Sequence, residues 1–465
     1  MNLVWLRNDL RLHDNLCLQN ALKVDNKFFL VYVVDKRLKQ DYMGFKRMSQ
    51  ARLDWLENCL YNLKKDVEKI GGTFIIKKGL PAEELRNLVK KHDIDTVFTD
   101  FDPGFYEQKD IASVKKNCQV ITCYNSWLWN PDDNNIPFKN VPDVFAYFRR
   151  NVEKNSYVRN PMNKPTKLPN VQIDEDSVDV ASKKLVHNKR SSIPFQSSEE
   201  DALNHLKQYV WQNKLPKKYK YTRNQLIGKD FSTKFSIWLG IGSLSPRKIY
   251  DEIEKFEEKF GSSKSTYWIK FELTWRDFFR YQAIKQDELL FAEKGMEQKD
   301  IVWNKNEAYL KAFTSGLTGY PLIDAGIREL KKTGFMSNRA RQNVASFFTK
   351  NLHLDWRVGA AFYEKYLLDF DVASNYGNWQ YISSIGNDGR GFRYFNIITQ
   401  AKKYDAASYI KTWVSELRNL RDEHVYEPWK ISEGEMKMYD FTYGKDYPRK
   451  IVDFRKSINT SKEIF

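Results

Sequence analysis

The first 125 residues alternate between two hydrophobic rhythms. Short apolar runs, NLVWL (2–6), FFLVYVVD (28–35), TFIIKKG (73–79), DTVFTD (95–100) and CQVITCYN (118–125), read as buried strands. Between them, 46–70, 81–92 and 105–116 carry helical spacing, and Pro81 suits a first helical turn, where its missing N–H costs nothing. Strand–helix alternation predicts a parallel sheet covered by helices, a Rossmann-like α/β domain of five strands over residues 1–128. Neither GxGxxG nor GxxxxGK[ST] occurs, so neither a standard dinucleotide turn nor a Walker loop is expected. The rhythm is lost over 129–198, where NPDDNNIP (130–137), RNPMNKPTKLPN (159–170) and VHNKRSSIP (186–194) predict a long, partly ordered surface connector between domains. From 199 to 465 helical spacing dominates, no strand stands out and no repeat occurs, so a large all-helical domain is expected.

A chain of 465 residues suits two or three domains with sizeable cores. Its 76 Lys+Arg against 60 Asp+Glu leave a net charge of +16, which fits a polyanion partner, although lysine richness also serves solubility. Aromatic residues reach 15%, and nine of the 13 tryptophans lie from Trp211 onward; rings wall sites for flat ligands, and they also fill ordinary cores. Cys17, Cys59, Cys118 and Cys123 show no second close pair that would complete a zinc site, and read as buried thiols of a reducing compartment. The N-terminus enters a strand directly, and no apolar run reaches the roughly 18 residues of a membrane span. A cytoplasmic, soluble protein, monomeric and without a membrane partner, is expected.

Candidate chemistry gathers in GFMSNRARQNVASFFTK (334–350) and LDWRVGAAFYEKYLLDFDVASNYGNW (354–379). Asp369 and Asp371 sit two apart, followed by Asn375 and Trp379. Two such carboxylates suit a metal, acid–base work or a capped helix end. Only His353 lies near enough in sequence to add a ligand, so no metal site is expected. STKFS (232–236) offers hydroxyls, a lysine and backbone amides ahead of a helical run, either an anion-binding helix start or an ordinary N-cap.

Together with VWLRNDLRLHDN (4–15), YTRNQLIGKDFSTKFSIWLGIGSLSPR (221–247), FELTWRDFFR (271–280), TGYPLIDAGIREL (318–330) and YPRKIVD (447–453), these runs resemble the photolyase/cryptochrome family. ARQNVASF (340–347), SNYGNWQY (374–381) and the pattern TRNxLxGxDxSTKFS (222–236) are similar to its DASH cryptochrome branch. The resemblance implies FAD in the helical domain. Ser232, Thr233, Lys234, Phe235 and Ser236, with Tyr219 upstream, would surround its diphosphate. Arg276 would lie against the cofactor, Asp371 would accept from the ring edge, Arg341 would pair with Asp369, and Asn375 would face N5 and tune the redox chemistry. Trp379, Trp356 and Trp303 match the family's tryptophan relay. Glu107, in FYEQKD (105–110), matches a carboxylate for a 5,10-methenyltetrahydrofolate antenna.

Glu272, Trp275, Asn338, Gln342 and Tyr381 would line a pocket for an extruded base pair, with Arg223, Arg339, Arg390 and Arg393 near the phosphates. Tyr381 stands where a tryptophan wall, and Gln342 where a methionine, is usual in bacterial photolyases. Stacking contributes about 1–3 kcal/mol per base, so the smaller wall favours lesions in single strands. The implied activity is light-driven repair of cyclobutane pyrimidine dimers in DNA by electron transfer from excited, reduced FAD. The alternative is a blue-light photoreceptor that binds nucleic acid or a protein without repair; the short SINTSKEIF ending after YPRKIVD speaks for the enzyme. Repair of (6-4) photoproducts is disfavoured, because SNRAR (337–341) replaces an HHxAR run and supplies no histidine acid.

Overall fold

The computed structural model describes residues 1–465 except 25–26, 135, 184, 186–187 and 193–195, so parts of NPDDNNIP and VHNKRSSIP lie outside the described residues. Strands β1 (Asn2–Leu6) and β2 (Phe28–Asp35) flank helix α1 (Leu16–Val24). A small hairpin, β3 (Asp41–Tyr42) and β4 (Phe45–Lys46), precedes α2 (Gln50–Lys69), β5 (Phe74–Gly79), α3 (Pro81–Lys91), β6 (Thr96–Asp100), α4 (Phe105–Val114) and β7 (Gln119–Cys123). The five long strands form one parallel sheet in the order β5-β2-β1-β6-β7. Every residue of β1 is buried, as expected of a central strand covered on both faces. Helix α1 and the hairpin were not legible in the sequence. The first lacks an acidic first turn and the second is two residues a side.

The connector expectation is corrected by α5 (Phe145–Asn155), whose Phe145, Phe148 and Val152 are buried at helical spacing. Further on, Leu168 N–H donates to Ile70 O at 2.9 Å and Val178 N–H to Ile76 O at 2.7 Å. The segment is thus a strap along the sheet edge. Its Asn/Pro/Lys composition concealed widely spaced apolar anchors.

Helices α6 (Glu199–Lys207), α7 (Tyr219–Thr222), α8 (Ser236–Ile241), α9 (Pro246–Phe260) and α10 (Lys264–Gln286) open the second domain. They are followed by α11 (Glu307–Ser315), α12 (Pro321–Thr333), α13 (Asn338–Ser346), α14 (Trp356–Tyr366) and α15 (Val372–Ile382), and by further helices up to one over Phe454–Ile464. Helix α10 is buried on most sides and packs on α7, α9, α15 and the strap helix α5. No described helix is long and apolar enough to cross a membrane.

The turn after β1 does more than shape the sheet end, because it joins the domains. Arg11 Nη1 donates to Gly242 O at 2.8 Å, and His13 Nδ1 meets Glu199 Oε1 at 2.7 Å. Arg247 Nε pairs with Asp14 Oδ2 at 2.9 Å, both side chains 0% exposed. From α10, Asp277 Oδ2 accepts from the amides of Leu128 (2.8 Å) and Trp129 (2.7 Å).

Removing one partner of a buried ion pair strands the other charge at a cost of about 3–5 kcal/mol. Asp14→Ala is therefore expected to lower unfolding stability by about that amount, read in urea titrations followed by tryptophan fluorescence. A loss below about 1 kcal/mol would contradict this role for the pair.

Candidate functional site

Between α13, α14 and α15 lies a cavity of about 110 Å³ lined by Asn338, Arg341, Gln342, Asp369, Asp371, Asn375 and Trp379, among others. Asp371 is the N-cap of α15, accepting from Ser374 N–H at 2.9 Å. One helical turn on, this cap sets Asn375, and a second turn sets Trp379, on the cavity wall. Burial alone would raise the Asp371 carboxyl; Arg280 at 2.5 Å and Arg276 at 3.7 Å outweigh it and hold it far below the usual carboxylate range. Asp371 therefore stays ionised. Asp369 Oδ2 accepts from Arg341 Nη2 at 2.9 Å, while its buried Oδ1 has no partner among the described residues. The indole Nε1 of Trp379 is likewise buried and, among the described residues, unpartnered. Asn375 Nδ2 donates to Ala360 O at 3.1 Å, which orients the amide. A buried acceptor, a buried donor and a fixed anion facing one cavity suit a flat ligand with a polar edge, and they fit FAD.

The STKFS loop is not in this wall but reaches its back. Helix α8 packs its Gly240 against Asp369, where an added Cβ would come within 3.0 Å of the Asp369 Cα. The N-cap of α8, Phe235, makes no side-chain cap bond, so the ordinary Ser/Thr cap is not what is built. Lys234 is instead folded inward with φ 57, is 2% exposed, and its Nζ has no hydrogen-bond partner among the described residues. Burial drives its ammonium well below the usual lysine value. A strained, buried lysine held only by the Phe231 and Phe335 rings among the described residues, beside uncapped amides, fits a diphosphate. Ser232 and Thr233 are half-buried and Ser236 is exposed. Tyr219 and Arg276 stand apart from the cavity. Tyr219 is buried near Glu272, and Arg276 Nη2 donates to Leu239 O at 3.1 Å.

Asn338 and Gln342 stand at the mouth, Asn338 exposed and Gln342 half-buried. Glu272, Trp275 and Tyr381 lie outside the cavity wall. Trp275 has one face covered by Phe145 of the strap, ring centroids 3.7 Å apart, and meets Tyr381 edge-on at 5.8 Å. Glu272 is bonded by Arg223; burial pushes its carboxyl up and Arg223 pulls it back. Arg390 bonds both Tyr381 Oη and Asp388, and Arg393 pairs with Asp388 at 2.7 Å. Arg339 Nη2 donates to Asn224 Oδ1 at 3.0 Å.

The three tryptophans are connected through α14 and the segment just before it. Trp379 packs so tightly over Gly359 of α14 that any Cβ there would overlap the indole. Trp356 is the first residue of that helix, and Asn304, next to Trp303, bridges to Leu354 just before it. Glu107 lies elsewhere, in a second cavity of about 160 Å³ between the domains. Burial and the neighbouring Asp102 push its carboxyl up to about 7. Phe370 lines both cavities.

Sequence reasoning missed Arg280, Phe145, Tyr363, which lines the cavity and meets Trp379 edge-on at 5.0 Å, and Glu364, which lines the interdomain cavity. Arg280 stood inside a quoted motif, and its spacing of one turn from Arg276 was the available signal. The others have only their tertiary positions.

Residues 2–170 match the family model of DNA photolyase, and 268–465 match that of the FAD binding domain of DNA photolyase. The first model runs past 128 and takes in most of the strap. The chain is 38% identical to a cryptochrome DASH of Synechocystis sp., over 99% of this chain and 97% of the relative. Its fold is similar to a solved Synechocystis cryptochrome, with a TM-score of 0.96 over 100% of this chain and 99% of that one at 38% identity. It is also similar to a class III photolyase of Agrobacterium tumefaciens, with a TM-score of 0.86 over 99% and 96% of the two chains at 28% identity. The five-stranded sheet, the helical cofactor domain and this full-length likeness place the chain in the photolyase/cryptochrome family, among proteins of DASH cryptochrome type.

Proposed function

We propose that this protein repairs cyclobutane pyrimidine dimers in DNA under light and acts preferentially on single strands. The observation that carries the reading is one cavity that unites ionised Asp371, the open Asp369 oxygen, Asn375 and Trp379, with Asn338 and Gln342 at its mouth. When bound, reduced FAD supplies, on absorbing blue or near-UV light, the electron that splits the dimer ring. The chain's part is to hold, orient and shield. Asp371 and Asn375 fix the ring edge, and Lys234 meets the diphosphate. Trp275, backed by Phe145, presents its remaining face to an extruded base, and Glu272 supplies a hydrogen-bonding carboxyl. A surplus of 16 positive charges favours the phosphate backbone. Trp379, Trp356 and Trp303 pass electrons inward to reactivate oxidised cofactor.

Strand preference follows from the walls. Extrusion from a stacked duplex costs a few kcal/mol and much less from a single strand. Tyr381, its hydroxyl tied to Arg390, offers less stacking area than an indole, so it recovers less of that cost. The interdomain cavity with Glu107 would hold the folate antenna; a carboxyl near 7 can donate to or accept from a pterin edge.

Light-dependent repair of dimer-bearing oligonucleotides is expected to be faster on single strands than on duplex at matched saturation. Tyr381→Trp with Gln342→Met is expected to narrow the gap. Equal rates on both substrates would contradict this account of the walls, and bound FAD with no repair of either would favour the photoreceptor. Trp379→Phe is expected to slow photoreduction of the bound oxidised cofactor at least about tenfold while chemically reduced protein still repairs. Unchanged photoreduction would remove Trp379 from the electron path.

A further inference from the structure

Among the described residues, each tryptophan of the relay lacks a proton acceptor on its indole nitrogen. The buried Nε1 atoms of Trp379 and Trp303 have no partner, and Trp356 Nε1 donates at 3.0 Å to Glu293 O, a carbonyl that cannot take the proton. An indole that loses an electron here stays a radical cation, an oxidant able to recover its electron from the cofactor. One neighbour differs. Tyr376 meets Trp356 edge-on with ring centroids 6.1 Å apart, and its hydroxyl donates at 3.0 Å to Oε2 of Glu364. Tyr376 and Trp356 are buried, and the Glu364 side chain is 4% exposed. Arg47 holds the other oxygen, Oε1, at 2.8 Å, which leaves Oε2 to the phenol.

We propose that Tyr376 is a second redox-active residue, which reduces the Trp356 radical cation while passing its proton to Glu364. The inference rests on the tryptophan relay of the proposed function. One electron moves from the phenol to Trp356, restoring a neutral indole. The Tyr376 O–H bond breaks and an O–H bond forms on Glu364 Oε2, leaving a neutral phenoxyl radical and a neutral carboxylic acid. Total charge is unchanged, and a buried cation and a buried anion are both neutralised, which favours the step where water cannot solvate them. The donor–acceptor distance lies within the range needed for direct proton transfer. Arg47 keeps a second partner in the face of Tyr106, 4.7 Å from its ring, after Glu364 loses its charge. Burial, then Glu364, pushes the phenol well above its usual value, so it carries its proton until oxidised. Glu364 also lines the interdomain cavity, which gives the proton a way out. The radical then rests on a site that returns its electron slowly, because return requires the proton too.

The test is time-resolved absorption and electron paramagnetic resonance of the FAD-loaded protein after a blue flash, in ordinary and deuterated water. The expected result is a tryptophan radical cation that gives way to a tyrosyl radical, more slowly in deuterated water. Tyr376→Phe, which keeps the ring, is expected to abolish the tyrosyl signal and speed loss of the photoreduced state. Glu364→Gln is expected to abolish the signal although the phenol remains. Flavin content and far-ultraviolet circular dichroism at wild-type levels certify both variants. A tyrosyl signal that survives Tyr376→Phe, or survives Glu364→Gln without change, overturns the proposal. Tryptophan radicals with no tyrosyl signal in the wild type overturn it alone, whereas bound FAD that yields no tryptophan radical at all overturns the relay and this inference together.

Discussion

A carboxylate sealed from water must be held by fixed positive charge, and the architecture around Asp371 is organised by that requirement. Arg280 and Arg276 reach it from successive turns of α10, while its other oxygen caps α15. The same stretch of α10 carries Asp277, which grips the backbone where the α/β domain ends. One helix therefore sets the cavity-facing anion, the start of the helix bearing Asn375 and Trp379, and the domain junction. Losing the charge at Asp371 would leave Arg280, already short of partners for two of its nitrogens, without its only carboxylate hydrogen bond among the described residues.

Close packing then turns these fixed points into a path. Gly240 lets the STKFS helix touch Asp369, and Gly359 lets Trp379 lie against the helix that begins at Trp356. A methyl group at either position would push the two layers apart, because packed interiors do not absorb such volume. The cavities between the domains and in the helical domain share Phe370, so a chromophore in the first would lie close to a ligand in the second.

Much of this was legible in the residues. The five strands follow from unbroken apolar runs, and the parallel sheet from strand–helix alternation; their ends shift by a residue or so because caps decide them. Asp371 with Asn375 was marked by spacing and family likeness, and Asp369 with Arg341 by family likeness alone. What escaped depends on long-range contacts. Phe145 lies in a segment whose polar composition reads as linker, yet its ring covers one face of Trp275. Arg11 and Arg247 look like solvated cations until the turn at Asp14 buries them. Glu364 and Tyr376 sit in plain helical sequence, and only the packing of α14 against α15 makes them a pair.

The central claim is that the charge on Asp371, and not merely its cap, holds a flavin in this cavity. Asparagine caps helices as well as aspartate does, so Asp371→Asn removes the charge and keeps the helix start. Charged hydrogen bonds contribute about 1.5–3 kcal/mol each. Titration of FAD into flavin-stripped protein, followed by quenching of flavin fluorescence, is predicted to show about 10- to 100-fold weaker binding by Asp371→Asn at unchanged helix content. Wild-type affinity in that variant would contradict the account.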